Sequence, residues 1–130
     1  MKNVDWQSPL NPYDYDFWGA SIVDDEIDGI FINGSIVVGG RPYLTSATIP
    51  EDITKIDGYA FEGIHSLKTV TIPDSVLEIG NYAFAYTGLT DIYYQGTQEQ
   101  FELIELGEWE VFPSSSSLVV HCTDGDIYPN

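Results

Sequence analysis

Basic residues are almost missing from this sequence. Four Lys and Arg stand against 21 Asp and Glu, which gives a formal net charge of −17 over 130 residues. A polyanion of this kind repels the phosphates of nucleic acids and anionic membrane surfaces. We therefore expect no nucleic-acid partner and no membrane partner. The acidity either keeps the protein soluble or matches a cationic partner or bound metal ions.

Cysteines and long apolar runs are also scarce. The single cysteine, Cys122, excludes an internal disulfide framework. No run of about 18 apolar residues occurs, so we expect no membrane-spanning helix. The first 20 residues contain no apolar stretch behind a basic segment, and we expect no secretory signal peptide. The sequence thus predicts a soluble protein, and its 43% hydrophobic residues are enough to build a core.

Motifs for catalysis and cofactor binding are absent as well. The chain has no G-x-x-x-x-G-K phosphate loop and no G-x-S-x-G nucleophile elbow. His65, His121 and Cys122 fall one ligand short of a zinc site. His121 and Cys122 are neighbours in a predicted strand, where they face opposite sides and cannot form a catalytic pair. We predict a protein that is not an enzyme, with no catalytic residues and no cofactor.

Two acidic loops, around Asp24 to Asp28 and around Asp124 to Asp126, carry the oxygen ligands that calcium prefers. The EF-hand pattern fails, because the twelfth position from Asp24 is Ser35 rather than glutamate. We interpret both loops as solvated turns and predict no metal site.

An internal repeat organises the middle of the chain. LTSATIPEDITKIDGYAFEGIHS aligns with LKTVTIPDSVLEIGNYAFAYTG, and a third unit opens with LTDIYY and then diverges. The units start at Leu44, Leu67 and Leu89, so the period is 23 and then 22 residues, which lies in the leucine-rich-repeat range.

The first two units begin with a predicted strand of the pattern L-x-x-[AV]-x-I, ended by proline, and the third has Leu89, Ile92 and Tyr94 at the same apolar positions. Because strand side chains alternate, the apolar positions point inward and the intervening ones outward. The outward positions are Ser46, Thr48, Thr69, Thr71, Asp91 and Tyr93. The opposite wall of the core is predicted at Ile53, Ile56, Ala60, Phe61, Val76, Ile79, Ala83 and Phe84. A single unit is too small to fold alone, so stacking must stabilise it.

The units resemble the BspA-type leucine-rich repeat. IPDSVLEIGNYAFAYTGLTDI matches that pattern almost throughout, and IPEDITKIDGYAFEGIHSLKTV nearly as well; Ile64 and Thr87 replace the family's frequent loop Cys or Asn. The resemblance covers residues 44–94 and implies a mostly β fold: a short solenoid with parallel strands that presents a binding surface.

Both flanks of the repeats are predicted to be caps. Alternating apolar residues around Asn33-Gly34 predict a hairpin whose Ile30, Ile32, Ile36 and Val38 cover the first turn. After the repeats, GTQEQFELIEL predicts a short helix with a Thr97/Gln100 capping box and buried Phe101, Ile104 and Leu106. LVVHC then predicts a last strand with Leu118, Val120 and Cys122 inward. The predicted divisions are residues 1–20, 21–43, 44–94 and 95–130.

Two surfaces are candidates for binding. The first is the polar strip of Thr48, Thr69, Thr71, Asp91 and Tyr93, whose alternative interpretation is a solvated sheet face. The second is residues 1–20, where five aromatic residues alternate with prolines and aspartates. These aromatics either pack on their own domain or dock on a partner or neighbouring subunit; they are Trp6, Tyr13, Tyr15, Phe17 and Trp18.

We predict a non-enzymatic protein–protein interaction or structural module. The closing segments YYQGTQEQFELI and VHCTDGDI resemble the ends of short BspA-type proteins of bacteriophages and gut bacteria. That resemblance implies a virion-associated accessory protein, attached to a capsid or tail protein through residues 1–20. The alternative is a surface adhesion module that binds a host protein or glycan through the strip around Tyr93. The sequence is also compatible with a homo-oligomer.

Overall fold

The computed structural model describes residues 23, 25–114 and 117–129. Two sheets enclose one core and form a mostly β solenoid of about three turns. The elements are β1 (Asp25–Ile27), β2 (Ile30–Asn33), β3 (Ile36–Gly40), β4 (Ser46–Thr48), β5 (Lys55–Ile56), β6 (Thr69–Ile72), β7 (Glu78–Ile79), β8 (Asp91–Tyr94), α1 (Gln98–Glu102), β9 (Glu105–Leu106), β10 (Val119–Cys122) and β11 (Gly125–Ile127).

The first sheet has the order β11-β10-β8-β6-β4, and β4, β6, β8 and β10 run parallel. Their register has no offset: Ala47 lies beside Val70, Val70 beside Ile92, and Ile92 beside Val120. These four side chains are buried, while Ser46 and Thr48 are exposed. The predicted inward and outward alternation is confirmed.

The second sheet has the order β1-β2-β3-β5-β7-β9. Its two-residue strands β5, β7 and β9 continue β3 in parallel and were not predicted as strands. Ile56 and Ile79 are fully buried, as predicted. The prediction that Leu106 is buried was wrong, because it lies in β9, the last strand of this sheet, and is 44% exposed.

A stack of three phenylalanine rings runs through the core. Phe61 and Phe84 lie 5.2 Å apart at 10°, and Phe84 and Phe112 lie 5.9 Å apart at 11°. The backbone repeats too: Phe61 N–H donates to the Ala83 carbonyl, as Phe84 N–H donates to that of Val111, each at 2.8 Å. The third unit therefore continues beyond Tyr94 and ends with Phe112 at the position of Phe61 and Phe84. The sequence does not show its period, because α1 is inserted between β8 and β9 and lengthens the unit.

The N-terminal hairpin forms as predicted, with Gly34 at φ +62° in its turn. Ile30 and Ile32 are buried, but Val37 takes the core position expected for Ile36 and Val38. The reason is an irregularity in β2–β3 pairing, where Phe31 lies opposite Gly39 but Ile32 opposite Val37. Val37 also lies beside Ile56 of β5, so it joins the inward row of that sheet.

The C-terminal end has the predicted capping box: the Gln100 N–H donates to Thr97 Oγ1 and the Thr97 N–H to Gln100 Oε1. Phe101 and Ile104 are buried, and β10 continues the parallel ladder as predicted. The antiparallel strand β11 was not predicted. Gln98 joins it to the helix, because Gln98 Nε2 donates to the Asp126 carbonyl at 3.0 Å and the Gln98 N–H donates to Asp124 Oδ1, in the preceding turn, at 2.8 Å.

We predict that Phe84→Ala, which removes the central ring of the stack, lowers the free energy of unfolding by about 3–5 kcal/mol. Chemical denaturation measures this. Tyr43→Ala is the control, because Tyr43 is 86% exposed and its loss should cost within about 0.5 kcal/mol. Phe84→Leu provides a milder measurement if the alanine variant does not fold. Equal costs for Phe84→Ala and Tyr43→Ala would contradict the central role of the stack.

Candidate functional site

The outward side of the first sheet is the candidate site, and we call it the strand face. It consists of Ser46, Thr48, Thr69, Thr71, Asp91, Tyr93, Val119, His121 and Asp126. The unshifted register orders one row across all five strands: Thr48, Thr71, Tyr93, His121 and Asp126. All five residues predicted for the strip, Thr48, Thr69, Thr71, Asp91 and Tyr93, thus lie on one surface.

His121 is the centre of a polar cluster on this face. Its Nε2 lies 2.9 Å from Asp91 Oδ1, and its Nδ1 lies 3.1 Å from Asp126 Oδ1. The ring also stacks on Tyr93, with centroids 4.9 Å apart at 17°. The sequence alone suggested two roles for His121, as a zinc ligand and as a catalytic partner of Cys122, and excluded both. Its place beside Tyr93 depends on the register between β10 and β8, which lie far apart in sequence.

Within the cluster the pKa of Asp91 is lowered and the pKa of His121 is raised. Hydrogen bonds from His121 and then Thr90 lower the pKa of the Asp91 carboxyl. The hydrogen bond to Asp91 raises the pKa of His121, and Asp126 adds to this effect, although partial desolvation opposes it. The charged pair is therefore favoured over the neutral one.

The geometry of the cluster does not match that of a metal site. The two carboxylates approach different nitrogens of the same ring, so they do not converge on one point. In the described part of the chain, no group of three or more His, Cys, Asp or Glu residues is placed to hold a metal ion. In the two acidic loops that were interpreted as solvated turns, Glu26 pairs with Arg41 and Asp124 accepts from the Gln98 N–H, while Asp24 lies outside the described residues.

Cys122 lies on the other side of β10 from His121. It packs against the hydrophobic core, as its position in the strand predicts. Burial raises the pKa of its thiol, and the neighbouring carboxylates of Asp124, Asp126 and Glu102 raise it further. The thiolate, which is the nucleophilic form, is therefore disfavoured.

An open depression of about 480 Å³ lies at the end of the strand face where β6, β8 and β10 finish. It is lined by Glu51, Thr71, Tyr93, Tyr94, Gln95, His121, Cys122 and Thr123. Tyr93 is 45% exposed although it lies in β8, the central strand of the sheet. The depression therefore offers an aromatic ring beside polar groups on a rigid support.

The second predicted surface is the aromatic segment of residues 1–20. Trp6, Tyr13, Tyr15, Phe17 and Trp18 lie outside the described residues. Over the residues that are described, no helix combines the length and the apolar character needed to cross a bilayer.

The family model described as BspA type leucine rich repeat region (6 copies) matches residues 40–116, which is more than half of the chain. No curated protein and no solved structure gives a significant match. The matched residues include β4 to β9 and the phenylalanine stack.

We predict that His121 titrates above the ordinary histidine pKa and that Asp91→Asn lowers this pKa, because its main hydrogen-bond acceptor loses its charge. NMR titration of the ring protons measures both, with His65→Gln to assign the two histidines. The raised pKa also stabilises the fold. Stabilisation relative to His121→Gln should be complete below the unfolded-state pKa of about 6.5 and be lost as the pH rises through the folded-state pKa.

Two results would contradict this account of the cluster. One is a His121 pKa that Asp91→Asn leaves unchanged. The other is a stability difference between wild type and His121→Gln that stays constant over the same pH range.

Proposed function

We propose that this chain, which belongs to the BspA-type leucine-rich-repeat family, is a protein–protein interaction module that binds its partner through the strand face. Leucine-rich-repeat solenoids present extended surfaces of this kind to protein partners. The observation that carries the proposal is the unshifted row from Thr48 to Asp126, which forms one continuous polar and aromatic strip over five strands.

The composition of the strip supports binding more than simple solvation. Tyr93 is large, rigid and half exposed, and its ring is held by stacking on His121. Tyrosine is enriched among the residues that contribute most to protein interfaces. The threonines beside it are short, β-branched and lose little entropy when they hydrogen-bond to a partner.

We predict that a photo-reactive benzoylphenylalanine in place of Tyr93 forms a discrete adduct with one protein in the cells that produce this chain. The same substitution at Tyr86 is the matched control, because Tyr86 is an exposed tyrosine outside the strand face. Mass spectrometry identifies the adduct. Excess wild-type protein should abolish it, and excess Tyr93→Ala protein should compete poorly. Adducts of equal yield from both positions, or none from Tyr93, would refute the proposal.

Two more specific proposals name the partner and the segment that binds it. Attachment to a capsid or tail protein through residues 1–20 rests on the resemblance of the C-terminal segment to phage proteins. Adhesion to a host-surface protein or glycan through the strand face rests on the exposure of Tyr93. Either assignment allows self-association.

Deletion of residues 1–20 separates the two assignments. If residues 1–20 are the attachment segment, the deletion removes the protein from purified particles while its thermal unfolding is unchanged. If the strand face is the sole binding site, adduct formation at Tyr93 survives the deletion, with a host-surface protein as the adduct. Cross-linking of particles before and after the deletion measures both.

A further inference from the structure

We infer that the segment bound on the strand face is a basic peptide and that protonation of His121 weakens its binding. This inference rests on the proposed function and adds the chemistry of the partner. It begins from the charge of the strand face, whose fully charged side chains are those of Asp91 and Asp126, joined by His121 when it is protonated. Glu51 lines the adjacent depression and adds a third carboxylate.

No Lys or Arg belongs to the strand face within the described residues. Of the three described basic residues, Lys55 pairs with Glu78 on the second sheet and Arg41 pairs with Glu26 of the hairpin. The third, Lys68, lies directly before β6, and its side chain is against Gly88. The net charge of −17 extends the same negative potential over the molecule. Complementary charge across an interface therefore calls for a cationic partner.

The protonation state of His121 determines how much of the negative charge of Asp91 and Asp126 is available to a partner. A neutral ring carries one N–H and can donate to only one of Asp91 and Asp126, which approach different nitrogens. The other carboxylate then faces a lone pair and is available to a cation. A protonated ring donates to both carboxylates and reduces their combined charge. The imidazolium thus competes with a Lys or Arg of the partner for the same oxygens.

Tyr93 adds an aromatic surface for a cation beside the carboxylates. One face of its ring is covered by His121, while its other side has Thr71 as its neighbour in the row. Because the threonine side chain is small, a guanidinium can lie against that ring face and still reach the carboxylates. The other groups that face His121 are Asp91 and Tyr93 from β8 and Asp126 from β11. None of these is basic.

The test uses the full chain and a short fluorescent peptide of alternating Arg and Thr, with affinity measured by anisotropy. The double variant Asp91→Asn with Asp126→Asn should weaken binding about tenfold, since two exposed ion pairs are lost. The control Glu62→Gln with Glu108→Gln removes the same two charges from exposed positions outside the strand face. It should change the affinity by about twofold or less.

The pH dependence tests the histidine. Peptide affinity of the wild type should rise between about pH 5.5 and pH 8 as His121 loses its proton, whereas arginine stays charged throughout. His121→Gln should remove this rise. Tyr93→Ala should weaken peptide binding, and spermine should compete poorly, because a polyamine has no guanidinium to lie against the Tyr93 ring.

Equal losses in the two double variants would overturn the inference, since they would show attraction to the whole polyanion. So would a pH dependence that persists in His121→Gln, or displacement of the peptide by spermine at equal charge. The proposed function is judged separately: a protein adduct at Tyr93 without Arg–Thr peptide binding would keep the interaction surface and reject the basic partner.

Discussion

Backbone hydrogen bonds between one turn and the next, with no shift in register, are the interaction on which the rest of the structure depends. The N–H of Phe61 reaches the second turn and that of Phe84 the third. Because equivalent residues lie side by side, the same alignment builds the phenylalanine stack inside and the row from Thr48 to Asp126 outside. A slip of one residue would exchange the two faces of every strand.

This alignment also imposes a backbone conformation that the residues do not prefer. Tyr59, Tyr82 and Glu110 occupy the same place in three successive turns, and their φ angles are 64°, 59° and 25°. The left-handed region costs a side-chain-bearing residue roughly 1–2 kcal/mol. The first two rings recover part of this cost by stacking on each other at 5.3 Å. Glu110 shares this backbone conformation although it lies outside the Y-A-F motif of the two tyrosines, so the geometry of the turn, rather than the residue type, determines it.

The sequence predicted those features that depend on a local period. Alternation located Ala47 and Val70 in the core, and a spacing of three identified the Thr97/Gln100 cap. Features that depend on distant partners were missed. Phe112 was hidden because α1 lengthens the third unit, so it lies 28 residues after Phe84 whereas Phe84 lies 23 after Phe61. His121 could not be assigned to its cluster, because no local pattern encodes the β8–β10 register.

The aligned turns have a consequence for how such a protein changes over evolution. An interior turn of the solenoid contacts only the turn before it and the turn after it, and these two turns present nearly the same surface to it. A duplicated unit inserted between them would meet the neighbours that the original met, and the hairpin and the α1 segment would stay unchanged at the ends. The outer strip can therefore lengthen in steps of about 4.8 Å, one strand spacing at a time. Gene duplication can therefore change the length of the surface, and point substitutions can change its residues, independently of each other.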